Sequence, residues 1–177
     1  MTTIEIIAQG FGIIGLVLSA MSFQEKNNSR LLIWQGMSGF MFVINFALVN
    51  AVSAALFNLV NALRGVLFAR KGKKVWQLIM LNSLYTACFV FSLFGIINNP
   101  LQIFLSTITF VPLVIMTVLM WKGNGKHIRI FQFFVSSPGW LIHNIFNFSL
   151  GGILCEIFAM LSVIISFIRF GKDGFEK

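Results

Sequence analysis

The chain has 177 residues, of which 58% are hydrophobic and only 10% charged, with 21 phenylalanines and a mean hydropathy of +0.90. That balance excludes a soluble globular domain and points to a polytopic membrane protein. The formal charge of +8 does not indicate nucleic acid, because loops that face an anionic cytoplasmic leaflet are basic in any case.

A hydrocarbon core about 30 Å thick takes around 20 apolar residues per helix. Seven such stretches are present, at about 4–24, 31–49, 51–69, 75–96, 101–121, 129–148 and 151–169. The expected fold class is therefore all-α and integral to the membrane. The first stretch lacks a basic start and a small-residue cleavage site and carries Glu5 at its front, so it reads as a retained helix rather than a signal peptide. Basic residues follow every second span: Lys26 and Arg30, then Arg70, Lys71, Lys73 and Lys74, then Lys122, Lys126 and Arg129, and finally Arg169, Lys172 and Lys177. The alternate connections, around Asn50, Asn98-Asn99-Pro100 and Ser149 to Gly152, carry no charge. The positive-inside rule then predicts an N-terminus outside and a C-terminus in the cytoplasm of a multi-pass inner (plasma) membrane protein. Cys88 and Cys155 fall within spans with no CxxC pair, which reads as buried inert thiols; no metal and no cofactor is expected.

Sliding the chain by 99 residues lays the segment from Arg30 on the segment from Arg129 without a gap, with Ser38 on Ser137, Asn45 on Asn144, Arg70 on Arg169 and Gly72 on Gly171. Span lengths, loop lengths and charges coincide more than letters do. The expected organisation is one transmembrane domain, 1–177, built as a three-helix repeat (1–74), a linker helix (75–99) and a second three-helix repeat (100–177). The odd linker gives both repeats the same orientation. Transporters built this way bind their solute near the midplane, where the repeats meet.

Polar residues inside the spans mark the candidate site. Trp140, His143, Asn144 and Asn147 follow helical i, i+3, i+4, i+7 spacing and share one face. Glu156 lies at a matching depth, roughly 9–10 Å below the turn at Leu150-Gly151. As the one acidic residue deep in a span it is expected to be paired or protonated, with His143 as partner, serving either a proton-linked or substrate role or a fixed clasp. Asn58, Asn61 and Arg64 share a face of span three. Asn61 serves a hydroxylated ligand or acts as helix-to-helix glue. Arg64 either snorkels to the cytoplasm, the favoured course, or lines an inner vestibule. Pro112 and Pro138 break helical bonding and act as hinges or packing kinks.

The motif of Trp140, Ile142, His143, Asn144, Ser149, Gly151, Gly152 and Glu156, with Asn61 to Arg64 and the closing Ile168 to Phe170, is similar to that of the small bacterial inner-membrane family labelled YgjV. The parallel three-plus-one-plus-three plan resembles the SWEET sugar transporters and the PQ-loop-like seven-span carriers of vitamin precursors. In the SWEET family a Trp on the second helix of a repeat and an Asn on the third line the pocket. The resemblance places Trp140 on that Trp and Glu156 where the Asn stands, with Met41 and Phe57 as first-repeat equivalents by the 99-residue shift.

The function expected is a small-solute transporter or facilitator working by alternating access, not an enzyme. Its solute is small, polar and neutral or weakly cationic, such as a sugar, nucleoside or vitamin precursor. The substrate-binding residues expected are Asn58, Asn61, Trp140, His143, Asn144 and Glu156. The second class is a non-transporting membrane receptor or assembly factor, in which the same residues serve folding and the basic stretch Arg70 to Lys74 recruits a partner or anionic lipid. Membrane lipids are expected partners, nucleic acid is not, and a homo-oligomer is compatible with the plan. Only His143 and Glu156 offer acid–base chemistry, which is too little for a catalytic site.

Overall fold

The computed structural model describes residues 2–22, 28–69, 72–123 and 125–170. Lys26, Arg70, Lys71, Lys172 and Lys177, which carry part of the charge alternation, lie outside the described residues. The elements are α1 (Thr3–Ser22), α2 (Asn28–Leu48), α3 (Val52–Ala69), α4 (Val75–Ile96), α5 (Pro100–Lys122), α6 (Gly125–Phe131), a π-helical turn (Gln132–Ser136), α7 (Ser137–Phe146) and α8 (Leu150–Phe170). α6, the π turn and α7 follow without a break, so the chain forms seven rods with no strand among the described residues. α1, α3, α4 and α5 are long and apolar enough to cross a membrane; 32–48 in α2 and 150–165 in α8 are shorter apolar runs.

The helix ends follow from local chemistry. The Thr2 amide donates to Glu5 Oε2 at 2.8 Å and the Glu5 amide to Thr2 Oγ1 at 3.3 Å, a reciprocal cap that explains the acidic residue at the front of α1. Asn99 accepts from the Gln102 amide ahead of Pro100 at the start of α5, and Gly123, at φ 75°, closes that helix in the left-handed conformation glycine adopts without strain.

Pro138 explains the π turn. A proline cannot donate to the carbonyl four residues back, and just before it the Ser137 amide reaches Gln132 O, five residues back, while Gln132 Nε2 donates to Ser137 Oγ at 2.8 Å. A π turn holds one more residue than the α ladder it interrupts. Pro112 does not break α5. It leaves the Ile108 carbonyl without its helical partner, and Gly139 packs there so closely that an added Cβ would stand 2.7 Å from Ile108 O.

α2 packs between α1 and α3, and α7 between α5 and α8. These two groups meet where α1 lies on α8 and where α3 lies on α5. α4 leans on α3 and α5 through Phe57, Tyr85, Phe89 and Phe110, with the last two rings stacked at 4.5 Å. Large apolar side chains such as Ile79, Phe91, Phe94 and Phe134 point outward, whereas Ser38, Asn45, Asn58, His143, Asn144 and Ser149 are buried. Apolar outside and hydrogen-bonded inside is the arrangement that a hydrocarbon solvent requires.

A candidate solute cavity sealed at one end

The α2–α3, α4–α5 and α7–α8 turns lie at the end where α1 begins, the N-terminal end; the α3–α4 and α5–α6 connections lie at the opposite, basic end. A cavity of about 930 Å³ runs down the centre, lined by every rod except α4. Its lining extends from Phe46, Asn144 and Gly152 on the side of the N-terminal end to Ile128 and the exposed Lys73 and Gly123 at the basic end.

Asn58, Asn61, Trp140, Asn144 and Glu156 all line this cavity, and His143 does not. His143 is fully buried behind the wall, edge-on to Phe46 at 5.8 Å and to Trp140 at 5.6 Å, with Asn147 Nδ2 3.4 Å from Nε2. The expected contact between His143 and Glu156 therefore does not form. They have equal depth but different sides, because His143 turns towards α2 while Glu156 sits beside Ser137. Glu156 Oε2 and Asn144 Oδ1 are buried without a hydrogen-bond partner. Asn61 takes both roles foreseen for it: Oδ1 accepts from the Tyr85 hydroxyl at 2.6 Å, tying α3 to α4, and the residue borders the cavity.

The lining residues fall into pairs: Phe42 with Trp140, Phe46 with Asn144, Asn58 with Glu156, Asn61 with Ala159 and Arg64 with Ser162, each pair 98 positions apart. The two turns agree, since Ala51 N to Phe46 O matches Ser149 N to Asn144 O, and Asn50 (φ 59°) matches Phe148 (φ 51°), again at 98. Before the π turn the spacing is 97, as in Leu32 with Arg129 and Ser19 with Met116. The coincidences run at 97 and 98 rather than at the expected 99, the step between them falling at the π turn with its extra residue. At a spacing of 98 Trp140 and Glu156 fall on the lining residues Phe42 and Asn58, whereas the expected Met41 and Phe57 lie outside the lining.

Contacts between the two helix groups seal the N-terminal end. Gln9 on α1 spans the α7–α8 turn, donating Nε2 to Phe148 O at 2.6 Å and accepting the Leu150 amide at 2.9 Å. Asn45 on α2 donates to Ala8 O and accepts from the Ser149 hydroxyl, both at 2.7 Å. Gly12 and Gly151 meet backbone to backbone: a Cβ on Gly12 would lie 3.3 Å from Gly151 Cα. On the other side Ser106 of α5 donates to Ser53 of α3 at 2.8 Å, while Gln102 donates to Asn147 at 3.3 Å within the second group. Gln9 and Ser106 stand 97 apart and Ser53 and Gly151 stand 98 apart, so the two seals use matching positions.

The basic end is different. Arg64 does not snorkel out; it lines the cavity and donates Nη1 to Thr117 Oγ1 on α5 at 2.9 Å. Lys73 folds back from the α3–α4 connection, donating to Met120 O at 2.7 Å and lying 5.4 Å above the Phe68 ring. Partial burial lowers its ammonium from the ordinary lysine value. Arg129 borders the same space. Arg64 thus shares the wall with Lys73 from the α3–α4 connection and with Arg129 of α6. Gln9 and the seal role of Asn45 were missed by sequence reasoning, although a lone glutamine in an apolar stretch was a readable signal.

Residues 6–174 match the family model Imp-YgjV, described as bacterial inner membrane protein, and the chain belongs to that family. No curated protein and no solved structure matches it. Family membership and several long apolar helices fit a multi-pass protein of the bacterial inner membrane.

Proposed function

We propose that this inner-membrane protein is a carrier of a small polar solute, not an enzyme, and that it works by alternating access in the manner of SWEET-like seven-helix transporters. Two parallel three-helix units, 1–74 and 100–177 joined by the linker 75–99, rock against each other. The N-terminal end faces outside and the basic end the cytoplasm, so the conformation described is open inward. One observation carries the reading: a polar central cavity open at one end is closed at the other by contacts between the two units at matching positions. Such paired seals can part together, whereas a static clasp needs no cavity beneath it.

In this reading Asn58, Asn61, Trp140, Asn144 and Glu156 meet the solute, with Phe42 as the aromatic mate of Trp140. His143 positions Trp140 and Phe46 from behind. Pro138 is the better hinge, because its π turn already departs from the α ladder, while the Ile108 carbonyl that Pro112 leaves free is covered by Gly139.

Two-sided labelling tests it. In a full-length chain with Cys88 and Cys155 replaced, Ser162→Cys in the cavity and Ser106→Cys in the seal are exposed in turn to a membrane-impermeant maleimide from each side. A carrier labels Ser162→Cys from the cytoplasm and, more slowly, Ser106→Cys from outside. A receptor or assembly factor with one fixed conformation never labels Ser106→Cys.

A further inference from the structure

Arg64 is the least explained charge in the bundle. A guanidinium has five N–H donors, and here one of them meets a neutral threonine. The described acidic residues are Glu5, engaged in the cap of α1, and Glu156, which shares no ion pair with Arg64. Among the described residues no carboxylate pairs with this part-buried arginine, an arrangement that is costly unless something else supplies negative charge.

The groups around it have a consistent sign. Asn61 has its carbonyl oxygen taken by Tyr85, which leaves its amide N–H groups for the cavity, and Lys73 brings an ammonium to the same wall. This lower half is rich in donors. The upper half is the reverse, with Glu156 Oε2 and Asn144 Oδ1 as acceptors lacking a partner. The pairing of the lining sharpens the contrast: Arg64 answers to Ser162, and Glu156 to Asn58. Arg64 and Glu156 come from different units, so a bound molecule is read from two unlike ends. Asn58, level with Glu156, precedes Arg64 by six residues, about 9 Å of helix rise, which is the length of a small metabolite.

We infer that the solute carries an anionic group, a carboxylate or phosphate, that docks on Arg64 while a hydrogen-bond donor of the same molecule meets Glu156. This rests on the carrier reading and narrows its solute class. Arginine suits the task because its planar fork holds a carboxylate or phosphate through two parallel bonds. The basic mouth adds long-range attraction for anions arriving from the cytoplasm.

The test is a thermal-unfolding panel on the purified full chain at fixed ionic strength. Probes are small carboxylates including amino acids and hydroxy acids, inorganic phosphate and glycerol 3-phosphate, neutral partners such as glycerol, glucose and adenosine, and short-chain phosphatidylglycerol. The expected result is stabilisation by at least one soluble anion bearing a donor group, with its neutral partner inactive. Arg64→Gln should weaken that binding roughly tenfold to a hundredfold, the worth of a charged hydrogen bond, while exposed Lys122→Gln leaves it unchanged. A shift only by neutral compounds, a shift only by phosphatidylglycerol, no shift at all, or an anion shift unaltered in Arg64→Gln would each overturn the inference. Two-sided labelling judges the carrier reading separately, since it needs no solute.

Discussion

Gly12 and Gly151 bring α1 and α8 into backbone contact at the N-terminal end of the bundle, 139 positions apart in the chain. Gly151 has no room for a Cβ, and at Gly12 one would press on Asn45 and Gly151 at 3.2–3.3 Å. Gly151→Ala is therefore expected to destabilise the described conformation by about 1–3 kcal/mol, the range of overpacking substitutions. The larger Gly151→Leu should force the seal apart. Thermal unfolding in detergent measures the first effect, and faster external labelling of Ser106→Cys measures the second.

Asn45 ties α2 to α1 and to the α7–α8 turn by donating to Ala8 O and accepting from Ser149. Asn45→Ala should lower stability by about 1–3 kcal/mol, because it strands the buried Ala8 carbonyl and the Ser149 hydroxyl. Ser149→Ala alone should cost less, and the double variant should cost less than the sum of the two singles. Strict additivity in unfolding measurements would deny the shared bond.

The pair of registers can be told apart by solute binding. If lining positions correspond at 98, Asn58→Ala removes a contact and weakens binding by about twofold to tenfold, one hydrogen bond's worth. Met41→Ala, outside the lining, should leave affinity unchanged. Titration of an identified solute against both variants decides between them.

Pro138→Ala restores an N–H at the foot of the π turn. The expected outcome is a well-folded chain with slower exchange between inward and outward labelling patterns, since the turn can then relax towards a continuous α ladder. Unchanged exchange would make the π turn a packing feature.

The rods were legible because lipid demands apolar runs of fixed length: the expected 75–96 coincides with α4, and 51–69 differs from α3 by one residue. Five of the six expected solute residues lie on one cavity because helical spacing already put them on shared faces. His143 escaped this logic, since equal depth says nothing about which side of a helix a group faces. The expected shift of 99 differs from the spacings of 97 and 98 at which lining positions and turns coincide, since the π turn changes the spacing by one part-way along and no gap-free comparison represents that. Lys73 reaches the cavity by folding a connection back onto Met120, a tertiary event that span-by-span reading cannot foresee.

The central claim is that the seal opens while the cavity mouth closes. Val52 and Leu150 begin α3 and α8, are exposed, and lie 98 positions apart on opposite units. Spin labels at Val52→Cys and Leu150→Cys, in the full chain with Cys88 and Cys155 replaced and reconstituted in nanodiscs, report their separation by pulsed electron resonance. Two distance populations are predicted, with Gly151→Leu moving weight to the longer one. A single narrow distance, unmoved by Gly151→Leu in a folded chain, would contradict the carrier account.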